Sequence, residues 1–277
     1  MGLRIATNLA SLAVQKNLSG SVRIEEKELE RLSSGKRITK ASDDAAGLSI
    51  SKNLEAQTKG LRQATRNAND GVSLIQTAEG GLNEVSSILI RLRELTIQAA
   101  SDTLGDIERG YLDLEYQQLN EEVDRIAEST TFNGMQLLNG EGNDELDFQV
   151  GSYAGEQNKI TLDASASNTT TSSIGVSGTG IQTKDEALDS ISSIDEAINI
   201  VNGQRASLGS IQSRLHYAIA NLESQSLNQE NARSFIQDVD VAQSSAALAS
   251  SQVLRSAGVA TLAQANGLPN SALRLLN

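Results

Sequence analysis

Cysteine is absent from the 277-residue chain, which excludes disulfides, zinc–thiolate centres and cysteine nucleophiles. Histidine occurs once, at His216, so a multi-histidine metal cluster is impossible and any Ser-His-Asp arrangement would have to use that residue. Tryptophan is missing, and three Phe and four Tyr are the only rings. A thick globular core normally uses rings as filler. Their scarcity favours thin, rod-like packing of Leu, Ile, Val and Ala. The single proline is Pro269, which leaves the rest of the chain free of the residue that removes a helical donor and clashes with the preceding turn. No run of eighteen apolar residues occurs, and the N-terminus lacks an apolar stretch followed by a small-residue cleavage site. Neither membrane insertion nor a Sec-type leader is therefore expected.

Charge is present but unevenly placed. The formal net charge is -12. Residues 105–150 hold twelve acids against two bases, whereas residues 1–42 hold eight bases against four acids. The acidic middle favours solubility and disfavours nucleic-acid binding. The basic N-terminus interleaves its charges with apolar positions from Arg23 to Leu32, which is a helical pattern rather than a nucleic-acid arm.

Periodicity then predicts long helices. Ile5, Leu9 and Leu12, followed by Leu18, Val22, Leu29 and Leu32, keep a 4-3 style spacing with polar Glu25 in the remaining slot, giving a helix from about 4 to 34. Ser42 before Asp43 and Asp44 reads as an N-cap followed by acids in the first turn of a helix from about 43 to 100. Helix-start electrostatics explains these two acids better than a metal pair does. The apolar face of this helix is clearest at Val85, Ile88, Leu92 and Leu95; Gly60, Gly71, Gly80 and Gly81 weaken it locally while allowing close packing. Leu112, Tyr116, Leu119, Val123 and Ile126 predict a helix over 105–130, ended by the loop Thr131 to Gly134. In the hairpin and loop region 135–180, Leu146, Phe148 and Val150 alternate with polar residues, as do Ile160 and Leu162. Residues 164–180, rich in Ser, Thr, Gly and Asn, read as an exposed loop or weak surface strands.

Helical spacing resumes over 184–235 with Leu188, Ile191, Ile194 and Ile198, then Leu208, Ile211, Leu215, Ala218 and Leu222. From Asp240 to Asn277 only Asp240, Arg255 and Arg274 carry charge, among many Ala and Ser. Such a helix alone in water would be marginal and needs a partner. The N-terminal helix is the first candidate, and like copies of the chain the second. The expected fold is mainly α: a long antiparallel helical rod or bundle with a terminal coiled coil and a small β-hairpin region. Terminal helices with little core of their own suit a repeated, non-closing contact, which gives a filament.

Particular words along the chain carry a resemblance. They are Asn8-Leu9, Leu32 to Ile38, Asp43 to Ile50, Gln76 to Leu82, Arg91 to Leu95, Phe132-Asn133-Gly134, Phe148 to Gly151, Ala265-Asn266, Leu268-Pro269 and Leu273 to Leu276. Each is weak alone. In this order and spacing the chain resembles bacterial flagellin, of a short type lacking outer variable domains. The resemblance implies an inner coiled coil from residues 1–42 and 236–277 around a rod domain of residues 43–235. It implies a structural subunit of the flagellar filament, secreted and extracellular, with bare and sheathed filaments both open. A hook–filament junction or minor axial protein is the alternative. Periodicity alone leaves a monomer's core stripe open; the resemblance selects a seam between the chain ends, placed at Leu18, Val22, Leu29 and Leu32 on one side and Val239, Ala246 and Val253 on the other.

The partners implied are further copies of the chain, a flagellar export chaperone, the type III export apparatus, the filament cap and hook-associated proteins. No cofactor, nucleic acid or membrane is implied. In some family members a Toll-like receptor reads the rod domain through an arginine, a leucine and a glutamate, and the matching positions are Arg91, Leu95 and Glu115. The same charged surface can serve subunit contacts. Residues 165–180 resemble surfaces that are O-glycosylated in some flagellins. An enzyme is not expected, because nothing in the sequence supplies His216 with a nucleophile and an orienting acid.

Overall fold

A computed structural model describes residues 7–140 and 145–275, without the side chains of Ala166 and residues 268–275. Ile5 and the last residues of the C-terminal signature lie outside what is described. The helices are α1 (Leu9–Ser34), α2 (Ala45–Ala99), α3 (Asp106–Ser129), α4 (Lys184–Gln237) and α5 (Val241–Leu275). Between α3 and α4 lie β1 (Thr131–Phe132), β2 (Met135–Gln136), β3 (Glu145–Gln149) and β4 (Lys159–Asp163). The fold is mainly α with a small hairpin region. The chain divides into two compact units: an end unit, Met1–Gln57 with Asn228–Asn277, and a middle unit, Thr58–Leu227.

The middle unit is built on seven-residue repeats. In α2, Ala68, Ile75, Leu82, Leu89 and Thr96 recur every seventh residue, and Ala78, Val85, Leu92 and Ala99 fill the alternate slots; all are buried. Leu89 rather than the expected Ile88 takes the deep position, since Ile88 packs only at the edge. In α4, Ala187, Ile194, Val201, Leu208, Leu215 and Leu222 repeat in the same way. Spacing of 3.5 residues per turn keeps such a stripe facing one neighbour over many turns. The α3 stripe is rotated from the expected one. Arg109, Asp113, Tyr116, Asn120, Val123 and Ala127 are inside, while Leu112, Leu119 and Ile126 flank the core.

That rotation has a cause in the segment before α4. Asp113 accepts hydrogen bonds from Ile181 N (3.0 Å) and Gln182 Nε2 (2.8 Å). Three turns on, Asp124 accepts from Thr171 N (2.7 Å) and Thr171 Oγ1 (2.8 Å). The Tyr116 hydroxyl pairs with Thr179 Oγ1 at 2.6 Å. The Ser/Thr-rich segment is consequently not the exposed loop its composition suggests. Ile174, Val176 and Ile181 are core residues, and Thr169 donates from its backbone to Leu138 O at 2.8 Å. Buried backbone groups need such partners, and the acids of α3 supply them.

The hairpins follow their sequence signals. Leu146 faces Leu162 and Phe148 faces Ile160 across antiparallel β3 and β4. β1 and β2 close on Asn133 (φ 51°) and Gly134 (φ 81°), both left-handed as a two-residue type I′ turn requires. The sequence reading treats this stretch only as the loop ending α3. α2 begins two residues later than expected. Its cap is Asp44, whose Oδ1 accepts from Gly47 N at 2.8 Å, rather than Ser42.

Helical glycines in α2 mark close approaches. A Cβ at Gly71 would sit 3.0 Å from the Phe148 ring, and one at Gly81 would meet Leu138 Cδ1 and Thr130 Oγ1 at 2.7 Å, whereas Gly80 faces open space. Gly80→Ala is therefore expected to stabilise the chain by about 0.5–1 kcal/mol through helix propensity. Gly81→Ala, next to it, is expected to destabilise. Paired thermal melts of the two variants check the contrast.

Candidate functional site

The site is where the two ends of the chain meet. On α1 an inward stripe runs Ser11, Leu18, Glu25 and Leu32, with Val14, Ser21 and Glu28 between them. Ser11, Glu25 and Glu28 are buried and the others half-buried. On α5 the stripe is Ser244, Ser251, Gly258 and Ala265, with half-buried Leu248 and Leu262 and the exposed Arg255 in the alternate slots. Both stripes have the seven-residue spacing of a coiled coil. The central line of the α5 stripe, Ser244, Ser251, Gly258 and Ala265, consists of small residues, which lets the helices come close. A Cβ added at Gly258 would lie 3.2 Å from Leu18 Cδ1.

The helices run antiparallel. Asn8 Nδ2 donates to Ala265 O (2.8 Å), Ser11 Oγ to Asn266 Oδ1 (2.7 Å), and Glu25 faces Arg255 (3.4 Å). Asn8 has two tasks, since its Oδ1 also accepts from Ser11 N at 3.1 Å and caps α1. At the base, Lys36 and Asp238 form a β-bridge in which Arg37 N donates to Gln237 O (2.7 Å) and Val239 N to Gly35 O (3.1 Å). Gly35 takes φ 69° to turn the chain out of α1.

The α1–α2 connection is pinned by Asp43. Its Oδ1 meets Lys27 Nζ at 2.7 Å, and its Oδ2 accepts from Thr39 Oγ1 at 3.1 Å and from Thr39 N and Lys40 N at 3.3 Å. Lys27, and then the Thr39 and Lys40 donors against the opposing cost of burial, hold this carboxyl well below the usual range. Lys40 also reaches Glu30 at 2.9 Å.

The expected seam residues distribute as follows. Leu18, Val22 and Leu32 are half-buried, and Leu29 is 48% exposed beside buried Glu28. Val239 sits in the base bridge. Ala246 and Val253 are exposed; each lies two residues, about 200° of helix, past Ser244 and Ser251. The contact thus centres on the small residues of α5, flanked by Leu248 and Leu262, and leaves Ala246 and Val253 outside. The spacing already places Glu25 in the seam, but Ser11, Glu28, Ser244 and Ser251 do not read as contact positions, because polarity normally signals solvent. Only their strict spacing from Leu18 and Gly258 gives them away.

In the middle unit, Arg91 on α2 bonds to Glu115 on α3 through Nη2 (2.8 Å) and Nε (3.1 Å), and to Glu94 at 3.0 Å. Arg93 pairs with Asp195 at 2.6 Å. Leu95, grouped with Arg91 and Glu115 by the sequence reading, is 1% exposed and belongs to the core. Of those three residues only Arg91 and Glu115 reach the surface, and such exposed pairs contribute about 0–1 kcal/mol each. His216 lies exposed on α4. Among the described residues no group of three or more His, Cys, Asp or Glu is placed to hold a metal.

Comparison with known proteins finds matches toward both ends of the chain. The model of the bacterial flagellin N-terminal helical region matches residues 5–143, and that of the C-terminal helical region matches residues 191–276. The chain is 41% identical over 269 residues to a flagellin of Halalkalibacterium halodurans, covering 97% of this chain and 98% of the relative. It is 37% identical over 314 residues to a flagellin of Bacillus subtilis, covering 99% and 100%. Among solved structures, a Bacillus cereus flagellin superposes with a TM-score of 0.51 at 32% identity, over 61% of this chain and 94% of that one.

The depressed Asp43 pKa has a pH consequence. Its stabilisation is fully present above the ordinary unfolded carboxylate value of about 4 and is lost as pH falls through the lower folded value. Asp43→Asn should flatten the stability-versus-pH slope below about pH 4 and leave the neutral part of the curve parallel to that of the parent. Denaturant midpoints measured across acid pH check this.

Proposed function

Since the chain belongs to the bacterial flagellin family and is a structural subunit that polymerises into the flagellar filament for motility, we propose that its paired ends, α1 and α5, carry the polymerisation. The observation behind this reading is what the pair leaves uncovered. Leu12, Ile24, Leu29, Val253, Leu254 and Val259 are each at least 48% exposed, on helices already paired along their other faces. Apolar area of that extent on both helices favours further association, and further copies of the chain are the partners that a filament supplies. On this reading Leu29 and Val253 belong to contacts between subunits, while Leu18 and Leu32 serve the contact within one chain.

The domain division follows the same logic, with residues 1–42 and 236–277 as the inner coiled coil and residues 43–235 as the surrounding rod. The protein is a structural subunit rather than an enzyme. It works as part of an extracellular flagellum, and no helix among the described residues is long and apolar enough to cross a membrane. The finer partners belong to the proposal. Export proceeds through the type III apparatus, with a chaperone covering α5, whose Val241, Val253, Leu254 and Val259 are exposed. The filament cap and hook-associated proteins meet the same ends. Any Toll-like receptor reading this chain would grip Arg91 and Glu115, with Leu95 shaping the surface from beneath.

Removing residues 241–277 should abolish filament formation while residues 58–227 keep their helical circular dichroism. Normal polymerisation by that truncation would sink the assignment of assembly to the ends. Quantity separates the filament subunit from a junction component: the chain should dominate filaments sheared from the cell surface, where a junction protein would be scarce.

A further inference from the structure

The small-residue stripe of α5 poses a question of alignment. Ser244, Ser251, Gly258 and Ala265 recur every seventh residue and differ little in size, and Leu248 and Leu262 stand seven residues either side of Arg255. Moving α5 by one heptad along α1 would replace one small residue by another along the whole stripe. Packing alone separates these alignments weakly.

Besides the Ser11–Asn266 hydrogen bond near the far end, two features break the repetition. Glu25 is 7% exposed in the middle of the α1 stripe, and its Oε2 has no hydrogen-bond partner. The cation facing it is Arg255, whose Nε lies 3.4 Å from that oxygen, close enough for ion pairing though not aligned as a hydrogen bond. Arg255 is the sole charged residue between Val241 and Gly267. One turn along, Leu18 sits over Gly258, the stripe position with no side chain. A one-heptad slip in either direction sets Leu248 or Leu262 against Glu25. It leaves a buried carboxylate unpaired, moves Arg255 off its partner, and puts Ser251 or Ala265 under Leu18.

We propose that the Glu25–Arg255 pair, backed by Leu18 over Gly258, is the register lock of the terminal coiled coil. A single polar pair in an otherwise uniform seam sets alignment at some cost in stability, because every competing alignment strands a desolvated charge. The Lys36–Asp238 bridge holds the base. Arg255 stands fourteen residues up α5 from Val241, about 21 Å along the axis, and fixes the remote part that the bridge does not reach. The lock is a specificity device. It selects the alignment within one chain and equally the correct partner where many copies of α1 and α5 are crowded together. This inference rests on the reading that α1 and α5 pair in the working subunit.

The absence of native cysteine makes the test direct. A Cβ at Gly258 would be 3.9 Å from Leu18 Cβ, within the range for a disulfide. In filaments of the full chain, cross-linked and then dissociated for analysis, Leu18→Cys with Gly258→Cys reports the native alignment. Leu18→Cys with Ser251→Cys, or with Ala265→Cys, reports a slip of one heptad either way. Under mild oxidation only the first pair should form an intrachain disulfide. Adding Arg255→Leu should lower that yield several-fold and bring up the slipped disulfides. The reversed pair, Glu25→Arg with Arg255→Glu, should restore the native disulfide alone. The apolar pair, Glu25→Leu with Arg255→Leu, should keep helicity while giving all three alignments. Native-only cross-linking at parental yield in both Arg255→Leu and the apolar pair would overturn the lock and leave the pairing of ends intact. Failure of all three cysteine pairs in the parent would overturn the pairing itself, and the lock with it.

Discussion

A stripe of contacts repeating every seven residues governs both compact units. It runs from Ala68 to Thr96 in α2, from Ala187 to Leu222 in α4, and through the Ser11 and Ser244 stripes of α1 and α5. A straight α-helix drifts by about 20° per heptad against such a stripe, so packed neighbours must coil slightly to keep it buried. Proline disrupts long coiling helices, and the one proline of the chain, Pro269, stands in the last two turns of α5. They also leave no thick centre for rings to fill. Tyr116 is the only fully buried aromatic, whereas Tyr111, Tyr153, Tyr217 and Phe235 stand exposed.

The exception to this regularity is the stretch between β4 and α4. It is short of large apolar residues, and its backbone could not lie inside without partners. Asp113 and Asp124, eleven residues apart on one face of α3, provide them. Part of the acidic excess of residues 105–150 is therefore internal architecture. The same arrangement limits what the surface offers for modification. Thr169 and Thr171 are buried, while Ser172, Ser173 and Ser177 remain exposed.

The helices and the β3–β4 pairing were legible because their signals are local. Leu208, Ile211, Leu215 and Leu222 are spaced as a helix face, and Leu146 and Phe148 alternate as a strand does. The buried Ser/Thr segment was not legible, since the carboxylates that satisfy it stand some fifty residues earlier in the chain. The end-to-end contact was half legible. The sequence showed that α1 and α5 each need a partner, and Glu25 already occupied a seam slot. Hydrophobicity then pointed to Leu29, Ala246 and Val253, whereas close approach selects Glu28, Ser244 and Ser251. Size at a contact can outweigh polarity when hydroxyls are satisfied at home, as Ser251 Oγ is by Leu248 O at 2.8 Å.

The small residues along α5 also set the energetics of the free chain. Burying Ser, Gly and Ala removes little apolar area from water, so the contact between α1 and α5 contributes modestly to folding by comparison with a leucine seam. Val241, Val253, Leu254 and Val259 of α5 stand exposed, open to cover by a neighbouring copy. Folding of the ends is thereby linked to subunit concentration: mass action stabilises the paired state where copies accumulate and releases it where they are dilute.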